Sequence, residues 1–362
     1  MDIIKIAEQF GITCSDHTCH ECKTGHINST FFIKPSSNTT DEYVFQRVNT
    51  NIFKKPDELM SNVFKVTEHV AKKLKEEHNS VSKTLEFLKT TNGEYGYVDE
   101  NGDYWRAYRY VSDSHSLNGA DSMELIERSG YAFGNFQRLL SDFDASVLYE
   151  TIPNFHNTQS RLNDFKTAVE SNLAKRKDEI SDDIAFVLNR EDKCSYVTDR
   201  IDSGKFPLRV THNDTKLNNL LWDDKTDECI CVIDLDTVMP GSVLYDFGDA
   251  IRFGASSAAE DETDLSRVYV CLDKFEAYVK GFIAGTKGAL TRDELLAFPM
   301  GAYVITLETG IRFLTDYLNG DTYFRIHYPT HNLDRARNQF KLVRSMEEQM
   351  GEMNKIIERY LK

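Results

Sequence analysis

The chain has 362 residues, 40% hydrophobic and 28% charged, the balance of an ordinary globular protein with length enough for two lobes. Lys and Arg total 43 against 58 Asp and Glu, and a net charge of −15 disfavours nucleic acid or an anionic membrane as a nonspecific partner. No leader-like apolar core opens the chain, no apolar run approaches the ~18 residues that span a bilayer, and the seven cysteines lack disulfide spacing, so the reading is cytoplasmic.

Residues 2–10 predict an amphipathic helix, with Ile3, Ile4, Ile6, Ala7 and Phe10 for packing. Cys14, Cys19, His20 and Cys22 follow. Cys19-x-x-Cys22 is half of a zinc signature without its second half, and the cluster is not read as a metal site; Cys229-x-Cys231 reads as core. Residues 24–30 lead into a strand at 31–34, a turn, and a strand at 43–48. Gly25 in the first turn is placed to let the backbone approach a phosphate. Pro56, Asp57 and Glu58 open a helix whose stripe of Leu59, Val63, Val66, Val70 and Leu74 runs to about residue 77. Strands at 95–99 and 103–111 flank Asn101-Gly102, a two-residue hairpin signal. Residues 1–112 therefore form a small nucleotide-binding lobe, and the polar stretch 112–116 a hinge. Residues 113–362 form a larger, mostly helical catalytic and substrate-binding lobe, with helices expected near 120–140, 160–175, 180–190, 264–284, 292–318 and 332–360.

Between the helical groups lies a polar loop after an apolar strand: His212, Asp214, Lys216 and Asn219. A second acidic cluster follows, with Asp234 and Asp236 after Ile230, Val232 and Ile233. Transfer of a phosphoryl group to an alcohol needs a carboxylate for the hydroxyl proton, oxygen ligands for Mg²⁺ and a cation for the γ-phosphate. Asp214 fits the first role, Asn219 and Asp234 the second, and Lys216 the third, with His212 bracing the loop. The spacing His-x-Asp-x-Lys-x-x-Asn equals that of the protein-kinase catalytic loop. Asp236 either shares the metal or orders its loop, and Asp246 braces the catalytic loop. His327 and His331 are separated by Pro329 and do not share a helix face, and Met346, Met350 and Met353 read as packing residues.

His212-Asn213-Asp214 through Asn219, residues 232–241 and Tyr245-Asp246-Phe247-Gly248-Asp249 resemble the aminoglycoside phosphotransferase superfamily, which has a two-lobed protein-kinase-like α+β fold. Within it, Gly25-His26-Ile27-Asn28, residues 46–53, 251–255 and 312–318 resemble the N-acetylhexosamine 1-kinases. The resemblance implies transfer of the γ-phosphate of ATP, with Mg²⁺, to the anomeric hydroxyl of N-acetylglucosamine or N-acetylgalactosamine. It implies Asp214 as base or orienting carboxylate and Asn219 and Asp234 as magnesium ligands. His26, Phe253, Arg312 and Tyr323 become sugar-pocket residues. Gly25, Asn28, Arg47, Arg109 and Val111 are the expected nucleotide contacts, with adenine near the last two and Glu68 the helix partner of Arg47. A kinase of this fold for another hexose, choline or an aminoglycoside is the alternative. A regulatory pseudokinase would lack Asp214, Asn219 or Asp234, and all three are present. Oligomeric state is not legible in the sequence.

Overall fold

Alternating apolar residues build an antiparallel sheet in the N-terminal part of the chain. The computed structural model describes residues 2–15, 18–22, 28–36, 41–120 and 122–361. Contacts divide the chain into two units. The first comprises Met1–Ser116, Asp142–Pro153 and Asn219–Pro240; the second comprises Leu117–Ser141, Asn154–Asn218 and Gly241–Lys362. The architecture is α+β.

In the first unit, α1 (Ile3–Gln9) precedes β1 (Cys19–Cys22), β2 (Ser29–Ile33) and β3 (Tyr43–Val48). Then come α2 (Pro56–Glu76), β4 (Phe87–Leu88), β5 (Tyr97–Val98), β6 (Tyr104–Arg109) and β7 (Ser114–Ser116). The main sheet runs β1-β2-β3-β6-β4, with β5 also on β6. Phe31, Ile33, Tyr43, Phe45, Trp105 and Ala107 fill one face with Ile6 and Ala7 of α1 and with Phe10, which caps it. The other face of β6 meets α2, where the Tyr104 hydroxyl donates to Asp57. Strands β1 and β4 were not expected, being short and weakly patterned. The polar stretch expected as a hinge contains β7, which pairs with Leu220–Asp223, itself paired with Cys229–Val232.

The second unit holds α3 (Met123–Leu139), α4 (Thr158–Ser171), α5 (Ser181–Leu188), α6 (Tyr196–Asp202), α7 (Val243–Gly254), α8 (Leu272–Thr286), α9 (Arg292–Leu296), α10 (Phe298–Leu318) and α11 (His331–Tyr360). One long helix expected over 292–318 is two, α9 and α10, because Pro299 cannot continue the ladder of the first and sits instead in the opening turn of the second. Neither α6 nor α7 was expected. Helices α3 and α8 pack backbone to backbone. A Cβ on Gly134 would overlap the Phe282 carbonyl oxygen and one on Gly281 that of Glu127, with Gly130 and Gly285 repeating the pattern on each helix. Met346 and Met353 are buried on α11 as packing residues. No helix among the described residues is long and apolar enough to cross a membrane.

Because the clash is with backbone, no rotamer change relieves it. Gly134→Ala should destabilise the protein by about 1–3 kcal/mol or more. Urea unfolding of the purified chain measures this, and an unchanged midpoint would refute the close packing.

Candidate active site

The base-bearing loop lies in the second unit and hangs from α7. Strand Arg209–Thr211 delivers His212, which is fully buried, and Asn213 turns the chain at φ 64. Two adjacent amides then point at one carboxylate. Asp246 accepts the N–H of His212 (3.0 Å) and of Asn213 (2.7 Å), and the Gln137 side chain of α3 (2.7 Å). Asp246 is 1% exposed and lies in the first turn of α7, where a carboxylate meets the positive end of the helix dipole. Burial pushes its carboxyl up, against the opposing pull of His212 and both amides. One turn on, Asp249 accepts the Thr215 N–H (3.2 Å), while the Thr215 hydroxyl donates to the Asp246 carbonyl (2.6 Å). The bracing role read for Asp246 is therefore seen directly. His212 braces too: its Nδ1 accepts the Asp214 N–H at 3.3 Å.

These bonds set the Asp214 carboxylate 2.6 Å from Lys216 Nζ. Burial lowers the Lys216 ammonium, but Asp214 and Asp249 outweigh it and hold it above the ordinary lysine value. Lys216 is a fixed cation beside the candidate base. It also lines a cavity of about 300 Å³ with Phe253, Ser257, Lys274 and Tyr278, and the described residues around that cavity include no carboxylate.

Asn219 and Asp234 belong to the first unit and come together there. Val232 pairs with Leu220, and the next backbone bond, Ile233 N–H to the Asn219 carbonyl (2.9 Å), joins the residue before Asp234 to Asn219. Asp234 adopts left-handed backbone, φ 58, a conformation Asp tolerates better than most side chains. Asp236 is buried and committed: it lies 2.5 Å from Arg106 Nη1 and accepts Asn28 Nδ2 at 2.7 Å. Through these contacts it orders the loop that carries Asp234. Arg106, 3% exposed, also donates twice to Gln46 (3.0 and 2.7 Å). Burial lowers its basicity, but Asp236 more than restores it. Sequence reasoning missed Arg106 as a site residue. The only signal was a cation on a strand face otherwise lined by Tyr104 and Tyr108.

The residues expected to contact the nucleotide make the following bonds within the protein. Arg47 pairs with Asp103 (3.1 Å) and Ser29 (3.1 Å), not with Glu68, which is exposed on α2. Asn28 bridges Asp236 and the Asn49 amide (3.0 Å). Arg109 bonds Glu86 (2.9 Å) and Asp41 (2.8 Å), and its amide donates to the Glu86 carbonyl. The Val111 carbonyl accepts from Ser114. Gly25 and His26 lie outside the described residues.

On α10, the Arg312 guanidinium sits between the rings of Phe155 and Phe324, 5.5 and 5.6 Å from their centroids. It makes no hydrogen bond or ion pair with any described residue, a half-buried donor fork without an acceptor. Tyr323, 67% exposed, packs edge-on against Phe324, and Phe253 is 45% exposed beside Arg252.

The model of a family described as APH, phosphotransferase enzyme family, matches residues 18–275. Among solved structures, an aminoglycoside phosphotransferase from Alicyclobacillus acidocaldarius subsp. acidocaldarius DSM 446 is similar over 98% of this chain and 96% of its own, at 12% identity and TM-score 0.58. A microcompartment-associated aminopropanol kinase is similar over 98% and 99%, at 13% identity and TM-score 0.58. A spectinomycin phosphotransferase, solved with ADP and spectinomycin, is similar over 99% and 96%, at 12% identity and TM-score 0.54. The fold is thus the two-lobed, protein-kinase-like class that the sequence predicts.

Asp236→Ala should cost about 3–5 kcal/mol, because it leaves Arg106 buried without its carboxylate. Equilibrium urea unfolding reads the loss; a change within ~1 kcal/mol would mean Arg106 finds water or another partner.

Proposed function

The chain belongs to the phosphotransferase enzyme family, and we propose that it transfers the γ-phosphate of ATP to the anomeric hydroxyl of N-acetylglucosamine or N-acetylgalactosamine. The acceptor oxygen forms a bond to the γ-phosphorus while the bond to the bridging oxygen breaks. ADP leaves with that electron pair, and the hydroxyl proton goes to Asp214. Such a carboxylate contributes a factor of about 10²–10⁴ in rate when it takes the proton or orients the hydroxyl in line. Lys216, kept charged by Asp214 and Asp249, faces the negative γ-phosphoryl oxygens.

Asn219 and Asp234, on backbone segments joined by the bond from the Ile233 N–H to the Asn219 carbonyl, offer an amide and a carboxylate oxygen, a donor set that suits Mg²⁺, which takes one or two protein oxygens alongside phosphates and water. When bound there, the ion neutralises charge on the nucleotide phosphates. Among the fold relatives, the spectinomycin phosphotransferase binds ADP, which supports an adenine nucleotide as donor.

One observation carries the choice of acceptor: Arg312, an uncommitted fork of donors framed by aromatic rings. Hydroxyls and an acetamide carbonyl accept from such a fork, and Tyr323 and Phe253 offer exposed aromatic faces for the apolar side of a sugar ring. A cationic acceptor is repelled by a guanidinium that makes no hydrogen bond among the described residues and wants carboxylates, and the described wall of the cavity beside Lys216 has two ammonium groups and none.

Asp214→Asn should leave ATP binding intact and lower turnover by about 10²–10⁴, measured by single-turnover phosphate transfer; near-normal turnover removes Asp214 from the mechanism. Asp234→Ala should abolish Mg²⁺-dependent activity in the same assay, and its persistence would require another ligand. An ATP-consumption screen across N-acetylhexosamines, free hexoses, choline and aminoglycosides tests the acceptor directly. Turnover confined to choline or an aminoglycoside would sink the sugar reading.

A further inference from the structure

Arg312 is the middle member of a charged row on one face of α10, with Glu308 one turn before it and Asp316 one turn after. An arginine so flanked ordinarily pairs with a carboxylate at four residues' spacing. Here neither carboxylate takes it. Glu308, 1% exposed, accepts from His156 Nδ1 (2.9 Å) and from the Thr158 hydroxyl (2.6 Å). Burial by itself would raise the Glu308 carboxyl, but His156, Arg312 and Thr158 hold it below the usual carboxylate range. Asp316, 4% exposed, accepts the backbone N–H groups of Thr322 (2.9 Å), Tyr323 (2.8 Å) and Phe324 (2.9 Å), and Asn332 Nδ2 (2.9 Å). A carboxylate in the last turn of a helix faces the negative end of the dipole. Three converging amides explain why one is retained there.

Each carboxylate fixes one of the two rings over Arg312. Glu308 anchors His156, whose ring packs 4.6 Å from that of its neighbour Phe155. Asp316 anchors the turn at 322–324, and so the Phe324 ring, which also packs 4.6 Å from Phe313. Asn332 Nδ2, which donates to Asp316, also donates to Asp321 (2.9 Å), and Asp321 accepts from Arg176 as well (2.6 Å). We infer that Glu308 and Asp316 are positioning residues for the acceptor. They hold Phe155 and Phe324 against Arg312 while leaving its donors without a hydrogen-bond partner among the described residues. The inference rests on the reading that Arg312 meets the acceptor.

The test uses the full-length enzyme with ATP and N-acetylglucosamine or N-acetylgalactosamine, and the variants Asp316→Asn, Phe324→Leu and Arg312→Ala. The asparagine sets an NH₂ donor against one of the donors Asp316 now accepts. It should speed amide hydrogen exchange at 322–324 and raise the acceptor KM about tenfold or more, with the KM for ATP unchanged. Phe324→Leu leaves the Asp316 bonds intact and removes only the ring, so it should raise the acceptor KM without faster exchange. It also serves if Asp316→Asn does not fold. An acceptor KM that rises in Arg312→Ala but stays unchanged in Phe324→Leu and in any folded Asp316→Asn overturns the positioning role. A rise in the KM for ATP of the same size overturns it too, since that marks general damage. If the wild type phosphorylates neither sugar, the proposed function fails, and exchange at 322–324 in Asp316→Asn still decides whether Asp316 holds the turn.

Discussion

The Asp246 carboxylate receives the amides of His212 and Asn213 while Gln137 holds it from behind, and the candidate chemistry depends on that junction. His212 and Asn213, between strand Arg209–Thr211 and Asp214, lie in neither helix nor strand. Their backbone donors must find acceptors somewhere, since burying them unpaired is costly. Supplying both acceptors from one side chain at the start of a helix turns a polar loop into an extension of α7. Asp249 continues the arrangement by taking the Thr215 amide, and it also helps hold Lys216 charged. The same two α7 residues thus set both the path of the loop and the charge on it.

The first unit solves a similar problem by other means. Asp234 sits in a backbone conformation that few side chains adopt, two residues past the half-buried strand Cys229–Val232. Two residues on, Asp236 is tied to Arg106 and Asn28, so the loop carrying Asp234 is pinned to the sheet. A buried ion pair contributes little to net stability relative to an apolar pair of the same shape. Its worth here is in specifying one loop conformation, with Gln46 completing the hydrogen bonding of the guanidinium.

Much of this was legible in the sequence, for physical reasons that also explain the gaps. The loop from His212 to Asn219 and the cluster at Asp234 stand out because polar residues interrupt apolar strands, and the spacing between them does not depend on tertiary contacts. Asp246 was legible as a brace because an acid ahead of an apolar run has few other uses. Arg106 was not, since a cation alternating with tyrosines on a strand reads as an exposed face until a carboxylate 130 positions later is placed over it. Glu308 and Asp316 were hidden for the same reason. Their partners His156 and Thr158 lie far back in the chain, and a backbone amide leaves no mark in a sequence. Strand β7 was read as a hinge because Ser114, His115 and Ser116 carry no apolar alternation; its place comes from pairing with Leu221 and Trp222.

The glycine contact between α3 and α8 bears on how far the candidate base can wander. Gln137, which steadies Asp246, stands one turn past Gly134 on α3, in the seam formed by Gly130, Gly134, Gly281 and Gly285. Side-chain interfaces breathe by rotamer exchange, and a backbone-to-backbone seam has no rotamers to exchange. The thermal spread of the Asp214 carboxylate should therefore follow the small amplitude of a helix pair, rather than that of the irregular loop on which the residue is carried.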